Sequence, residues 1–313
     1  MSPCIGGRGF GRNKRLFIKD MMRFRLKYVL VIVVAGLLAS CEKPILAGQE
    51  GEIETKGNLK VSVYELEQTP FNSTLRGAVS ELCTHLNFAI YDRTGERLKQ
   101  VNQMVGDSDF GVASFQLLEG TYQLVVVAHS SSTNPTMTNP LKIQFTNAKG
   151  YTDTFLYYET IVIGSEAQTQ NISLRRIVSL CRFVVNDAIP EGIARMEFQY
   201  TGGSGHFSAV TGLGVTNSTQ KMSYAVVAGQ QQTQYDLYTF LHDTEGTIHL
   251  YARAYDAADN LQLEKEFDIP MTTNKITWMK GSFFDGFSTA PSQSITPMVA
   301  IEGTWGGENV IGY

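Results

Sequence analysis

The side chains most often used in catalysis are scattered along this sequence of 313 residues. The histidines are His85, His129, His206, His242 and His249, and none of them stands in an HExxH pattern. Ser204 and His206 lie close together in a glycine-rich stretch, but that stretch lacks the strand, elbow and helix that surround a GxSxG nucleophile. We therefore expect an exposed hairpin turn at Ser204, with no catalytic pair.

The motifs that could bind a cofactor or a metal are incomplete. Gly212-Leu213-Gly214 lacks the third glycine of a dinucleotide loop, and no helix is predicted to follow it. Asp107-Ser108-Asp109 lacks the spacing of a calcium loop, and no CxxC or Cys/His cluster is present. We expect no cofactor, no metal and no enzyme activity.

Aromatic residues are the better candidates for binding. Tyr151, Tyr157 and Tyr158 cluster in GYTDTFLYYET, and aromatic faces bind sugar rings and anchor protein interfaces. The alternative is that these rings pack in a core or across strands, as aromatic side chains often do in sheets. The sequence leaves both readings open and makes the three tyrosines candidate ligand or interface residues.

One cysteine stands in a position that predicts a modification. Arg23, Arg25 and Lys27 precede an apolar run of about eleven residues, which is too short for a membrane-spanning helix of about 20 residues. The run ends in Leu-Ala-Ser before Cys41, a pattern similar to the bacterial lipobox. We expect residues 1–40 to be a cleaved signal peptide, with 1–20 an over-extended start, and Cys41 to be lipidated.

Removal of that segment changes the charge of the chain. Residues 1–40 hold eight of the 26 Lys and Arg residues and one of the 30 Asp and Glu residues, which leaves 18 basic and 29 acidic residues. A net charge near −11 is the wrong sign for a nucleic-acid-binding protein, so we expect no nucleic acid as a partner. The mature chain retains Cys83 and Cys181, which we expect to be two buried thiols, although a disulfide is possible outside the cytoplasm.

The elements predicted after residue 57 are strands. Apolar residues alternate with polar ones around Leu59, Phe88, Ile143, Phe198 and Phe267. QLVVVAH and RIVSLCRFVV have apolar residues at both odd and even positions, which indicates strands that are covered on both faces. Many short strands separated by turn residues predict an all-β protein of sandwich type.

The mature length suggests two domains. LCTHLNFAIYD and LCRFVVND are weakly alike, which suggests a duplication. The predicted segments are 41–57, a flexible lipid-anchored tether; 58–174, an N-terminal β-sandwich; 175–287, a C-terminal β-sandwich; and 288–313, a linker with a C-terminal strand segment.

Several stretches in order resemble one protein family. They are LLEGTYQLVVVAHS, YTDTFLYYETIVIG, SLRRIVSLCRFVVND, FQYTGGSGHFSAVTGLG and NKITWMKGSFFDG. With the lipobox, they resemble the fimbrillin-like lipoproteins of Bacteroidales, in the branch of fimbrial anchor and accessory subunits. The resemblance covers nearly all of the mature chain.

This resemblance implies two tandem β-sandwiches of transthyretin-like topology and no enzyme activity. It also implies attachment to the cell outer membrane through lipid on Cys41, and β-strand addition between fimbrial subunits at the cell surface. Polymerising members are trimmed after a basic residue, and Lys56, Lys60 and Arg76 are the positions available here. None carries a clear signature, so an untrimmed subunit that keeps its lipid is favoured.

The C-terminal segment is the expected strand donor, with Ile295, Val299, Ile301 and Trp305 as its apolar residues. Because a linker precedes it, the segment can pair within its own domain or with another subunit. The expected function is a structural fimbrial subunit, an anchor or a minor pilin, that acts in adhesion and biofilm formation. The alternative is a surface glycan-binding lipoprotein.

Overall fold

The computed structural model describes residues 58–67, 79–146, 150–287 and 308–313. All of them belong to one compact unit, Thr55–Tyr313. The predicted signal peptide, Cys41 and the tether at 41–57 lie outside the described residues. The described elements are one short helix and eighteen strands, in this chain order: β1 (Leu59–Glu67), α1 (Val79–Leu82), β2 (His85–Tyr91), β3 (Arg97–Met104), β4 (Val112–Phe115), β5 (Gly120–His129), β6 (Thr136–Asn139), β7 (Lys142–Gln144), β8 (Thr154–Ile163), β9 (Gln168–Arg176), β10 (Ser179–Val185), β11 (Arg195–Gly203), β12 (His206–Phe207), β13 (Ser218–Ala225), β14 (Thr233–Thr239), β15 (Glu245–Tyr255), β16 (Leu261–Thr272), β17 (Ile276–Gly281) and β18 (Glu308–Gly312).

The first half forms a seven-stranded sheet with the order β3-β2-β5-β8-β9-β1-β4. β1 lies inside this sheet, parallel to β9 and antiparallel to β4. The predicted alternation of β1 is confirmed, because Leu59 and Val61 are fully buried while Lys60 is exposed. These side chains help to form the first hydrophobic core.

The second half stacks two four-stranded sheets. Their orders are β14-β10-β17-β18 and β13-β11-β15-β16. The second core includes Phe183 from one sheet and Phe198 from the other, whose ring centroids are 5.2 Å apart. This pairing of inward-facing residues is the arrangement of a β-sandwich, and the predicted all-β sandwich class is confirmed.

A third core joins the two halves. Val125 and Val127 of β5 contribute to it from the first half, and Leu180 of β10 and Ile276 of β17 contribute from the second. Phe207 of β12 belongs to the same cluster, and β12 pairs with β7 in a small sheet of order β12-β7-β6. The domain boundary near Leu174 stays a prediction, because the two halves share this core within one compact unit.

Two local predictions about the strands were wrong. β2 was predicted to have one face in water, but all of its residues are buried. The first core covers the face of Phe88, and the third core covers the face of Tyr91. The residue types of β2 alternate because small and polar residues, such as Ala89 and Asn87, occupy positions between the large apolar ones. These small and polar residues are buried as well.

The turn residues in Asp92–Gly95 and in Leu118–Thr121 predict two hairpin connections, and the second of these predictions was wrong. In the structure Leu118–Thr121 joins β4 to β5, which are not hydrogen-bonded neighbours, because β4 pairs with β1 and β5 pairs with β2 and β8. The predicted turn at Asp92–Gly95 is a hairpin connection, between β2 and β3. Both stretches carry turn residues. Whether such a stretch connects two paired strands depends on long-range strand pairing, which turn residues do not report.

Candidate functional site

The candidate assembly site is the edge of the second sandwich where β18 lies beside β17. β18 runs parallel to β17, and the pairs extend from Ile276↔Glu308 to Lys280↔Gly312. Its sequence, ENVIG, contains two β-branched residues, which favour a strand. Among the described strands, β18 has β17 as its one hydrogen-bonded neighbour, so it is an edge strand.

Tyr313, directly after β18, secures this edge against the core. Its ring stacks on Phe183 with centroids 4.5 Å apart, and it meets Phe267 of β16 edge-on at 5.1 Å. Its hydroxyl donates a hydrogen bond of 2.6 Å to the carbonyl oxygen of Val184. Burial raises the pKa of Tyr313 well above the ordinary value, which keeps the hydroxyl protonated as a donor.

The strand next to it has a glycine where Tyr313 approaches. A Cβ built on Gly281 would lie 1.8 Å from the Tyr313 carbonyl oxygen, which is closer than real atoms come. Any larger residue at this position would push the end of β18 away from β17. Gly281 is therefore part of the site that receives the strand.

The structure describes only the last part, 308–313, of the C-terminal segment that was predicted to donate a strand. Ile295, Val299, Ile301 and Trp305 lie outside the described residues, so their role stays a prediction. For Glu308–Gly312, the structure shows pairing within the same chain, one of the two arrangements left open by the sequence. Tyr313 was missed as the residue that packs this segment against the core, although the alternation of Ile311 and Tyr313 in ENVIGY is the pattern that could have revealed it.

The three candidate tyrosines do not share one exposed surface. Tyr151 is 6% exposed and belongs to the third core, where its ring lies 5.9 Å from Phe240. Tyr157 packs against the first core and Tyr158 against the third, so the two point to opposite faces of β8. Cross-strand and core packing occupy much of each ring.

The remaining cysteines are buried and unpaired. Cys83 belongs to the first core and Cys181 to the second, and both are free thiols. Burial raises the pKa of each thiol, so both stay protonated and unreactive at neutral pH. The prediction of two buried thiols is confirmed.

Ser204 and His206 do not form a nucleophile and its base. The Ser204 hydroxyl donates to the His206 carbonyl oxygen at 2.7 Å and accepts from the His206 backbone N–H at 3.1 Å. Both partners are main-chain atoms, and Ser204 is fully buried. The expectation of an exposed turn was wrong at Ser204, because the serine hydroxyl holds the bend from inside.

His85 and His129 form a buried pair in the first half. Their rings stack with centroids 5.0 Å apart, and the Ser131 N–H donates to His129 Nδ1 at 3.0 Å. That bond places the proton of the neutral ring on Nε2, which donates to Asn87 Oδ1 at 2.8 Å. Burial, with a smaller effect of His85, lowers the pKa of His129 to about 3, so the pair is a neutral structural element.

Within the described residues, no group of histidine, cysteine, aspartate and glutamate side chains is arranged to hold a metal ion. In the same part of the chain, no helix has the length and apolar character that a membrane crossing requires.

Three solved structures to which this chain is similar come from Bacteroides, Porphyromonas and Parabacteroides. A candidate adhesin from Bacteroides ovatus is 14% identical with a TM-score of 0.47, over 72% of this chain and 88% of that one. The fimbrial anchor protein Mfa2 from Porphyromonas gingivalis is 12% identical with a TM-score of 0.40, over 66% and 80%. A fimbrial assembly protein from Parabacteroides distasonis is 12% identical with a TM-score of 0.35, over 68% and 85%.

A search of curated proteins found no match. The family assignment rests on a family model that matches residues 54–277, a span that covers the first half of the fold and the second half as far as the start of β17. The chain belongs to the family of fimbrillin-A associated anchor proteins Mfa1 and Mfa2.

Proposed function

We propose that this chain is an outer-membrane lipoprotein that serves as a structural subunit of a surface fimbrium, as an anchor or a minor pilin. The observation that carries the proposal is the family match over residues 54–277. Lipid on Cys41 would hold the chain in the membrane, and the 41–57 tether would let the sandwiches stand away from it. Adhesion and biofilm formation are the processes in which such a subunit would act.

The lipid is tested by replacing the cysteine. Cys41→Ser in the native cell should release the chain from the membrane fraction and release fimbriae into the medium. Cys4→Ser is the matched control, because Cys4 lies in the part of the signal segment that is expected to be removed. Mass spectrometry should find a lipidated Cys41 at the mature N-terminus; membrane attachment that survives Cys41→Ser would overturn this part of the proposal.

The same mass spectrum separates an anchor from a trimmed pilin. An anchor keeps its lipid, whereas cleavage after Lys56 or Arg76 would give an N-terminus at Gly57 or Gly77. We expect no trimming. A mature chain that begins at either glycine would replace the anchor by a polymerising pilin while leaving the fimbrial assignment in place.

For assembly, we propose β-strand addition in which the C-terminal segment is donated to another subunit. What supports this is the position of β18 at a sheet edge, where it has one neighbouring strand among the described residues. Main-chain hydrogen bonds supply affinity in such contacts, and alternate side chains supply specificity. Deleting residues 288–313 should then abolish incorporation into the fimbrium.

An engineered disulfide tests whether β18 must leave its own sheet for assembly, without deleting any residues. Met279 and Ile311 are register partners on β17 and β18, and both pack against the second core. The double variant Met279→Cys/Ile311→Cys should lock β18 to its own sheet and stop incorporation, and a reductant should restore it. Ile311→Cys alone is the control, and a locked chain that still assembles would contradict donation by this strand.

A further inference from the structure

A polar cleft opens at a bulge in β11, on the second half of the molecule. It has a volume of about 360 Å³ and is lined by Thr201, Gly202, Asn217, Ser218 and Thr219. Ligand pockets span about 300–1,000 Å³, so this cleft is at the small end of that range. Each lining side chain is a hydroxyl or an amide, and Gly202 adds bare main chain.

The bulge beside the cleft depends on a glycine. β11 pairs regularly with β13 as far as Tyr200↔Gln220, and the register then shifts before Gly203↔Ser218. Gly202 has φ +89°, and a Cβ there would lie 2.2 Å from the Thr247 carbonyl oxygen. Because the main chain packs directly on β15, this position cannot carry a side chain, and the bulge is restricted to glycine here.

Several polar groups in the cleft have hydrogen-bonding capacity to spare. Thr201 and Asn217 are exposed, and their side chains make no hydrogen bond to any described residue. Ser218 Oγ accepts a hydrogen bond of 2.8 Å from the Gly205 N–H, which leaves its own proton available for donation. The cleft thus presents both donors and acceptors at fixed places on a sheet.

An aromatic ring lies along the same face. Thr201 is the register partner of His249, and Gln199 is the partner of Tyr251, so all four residues are on one face of the β11–β15 pair. The His249 and Tyr251 rings meet edge to face with centroids 4.8 Å apart, and the Arg253 guanidinium lies over the Tyr251 ring, 4.9 Å from its centroid. The half-buried Tyr251 ring is fixed in this way, and a sugar would contact the part of the ring that Arg253 and His249 leave exposed.

We infer that the cleft binds a neutral carbohydrate, with a terminal sugar among Thr201, Asn217 and Ser218 and the next sugar against Tyr251. Hydroxyl and amide groups match the hydroxyls of a sugar, and an aromatic face matches its C–H surface. None of the lining residues is charged, which favours a neutral ligand over an anionic one. A peptide would instead pair with the main chain of β13, which is the edge strand of this sheet, and would not need the side chains of Thr201 and Asn217. The inference stands whether or not the chain is a fimbrial subunit.

The test is a glycan array, read with the purified full chain, that holds neutral and acidic oligosaccharides. We expect binding to neutral glycans, and calorimetric titration of the best one should show affinity falling about tenfold for Asn217→Ala and for Thr201→Ala, since each removes one hydrogen bond. Tyr251→Ala should weaken binding to oligosaccharides more than binding to the monosaccharide.

The controls lie on β9, far from the cleft in sequence. Asn171→Ala and Thr169→Ala remove the same groups from exposed positions of that strand, and they should leave affinity within about twofold. Circular dichroism establishes that each variant is folded. An array without neutral binders, a preference for acidic glycans, or affinity unchanged in Asn217→Ala and Thr201→Ala would each overturn the inference.

Discussion

The strands β1 and β18 stand at opposite ends of the described chain, and each runs parallel to one neighbouring strand, β9 for β1 and β17 for β18. β1 lies between two neighbours, with pairs to β9 from Leu59 to Glu67 and to β4 from Leu59 to Ser62. β18 pairs with β17 over five residues at the edge of its sheet. Removing β1 would divide a sheet, whereas removing β18 would shorten one. The contrast teaches that similar local pairing can belong to a strand inside a sheet or to a strand at its edge.

A charged side chain introduced into each of the two strands should give the largest difference in the free energy of unfolding. Val61→Asp puts a carboxylate at a fully buried position of β1 and should lower the free energy of unfolding by about 4 kcal/mol. Ile311→Asp is the equivalent change on half-buried β18, and it should detach the strand while the remaining fold keeps its stability. Urea unfolding followed by circular dichroism compares the two, and equal losses would remove the distinction.

Shortening Tyr313 should open the β18 edge alone. Tyr313→Ala removes the contacts with Phe183 and Phe267 and the hydrogen bond to Val184, a loss of about 3 kcal/mol in holding the strand. Hydrogen exchange should rise at the amides of β17 and stay unchanged in β1. Tyr64→Ala, on β1 but 61% exposed, is the matched control and should change neither strand. Faster exchange throughout the chain would show that β18 is part of the global fold.

Lowering the pH should destabilise the half of the molecule that contains β1, because His129 lies in that half. His129 has a pKa of about 3 in the folded chain and about 6.5 when unfolded, so the unfolded state binds more protons between these values. The contribution of the neutral His129 ring to the free energy of unfolding is fully present above about pH 6.5. It decreases as the pH falls, and the free energy of unfolding is about 2 kcal/mol lower at pH 5. Urea unfolding at pH 7 and pH 5 measures the loss, and His129→Gln should reduce it. A pH-independent free energy of unfolding would contradict the assignment of a buried neutral ring.

Local pattern was enough to predict the strands whose two faces have different surroundings. Met196, Phe198 and Tyr200 alternate with polar residues, and all three are buried in the second core. The same pattern failed for β2, because a third core covers the face that would otherwise be in water. That core is made by residues distant in sequence, such as Val127 and Ile276, so no window of the sequence reports it.

The candidate sites were predictable to different degrees. Buried thiols at Cys83 and Cys181 followed from their apolar strands. The cleft at Gly202 could not be predicted, since it depends on a register shift that brings Thr201 near Asn217 across β11 and β13. The sequence left open whether Tyr151 lies in a binding surface or in a core, because its contact Phe240 is far along the chain.

The smallest expected effect separates two contributions to the β18 edge. Tyr313→Phe keeps the ring on Phe183 and removes the 2.6 Å hydrogen bond, which leaves the Val184 carbonyl oxygen without its hydroxyl donor. Such a loss costs about 1 kcal/mol, or roughly a fivefold increase in the exchange rate of β17 amides. The rate should lie between those of the wild type and Tyr313→Ala. If Tyr313→Phe instead equals Tyr313→Ala, the hydroxyl rather than the ring holds β18, and the strand would be released by breaking one hydrogen bond.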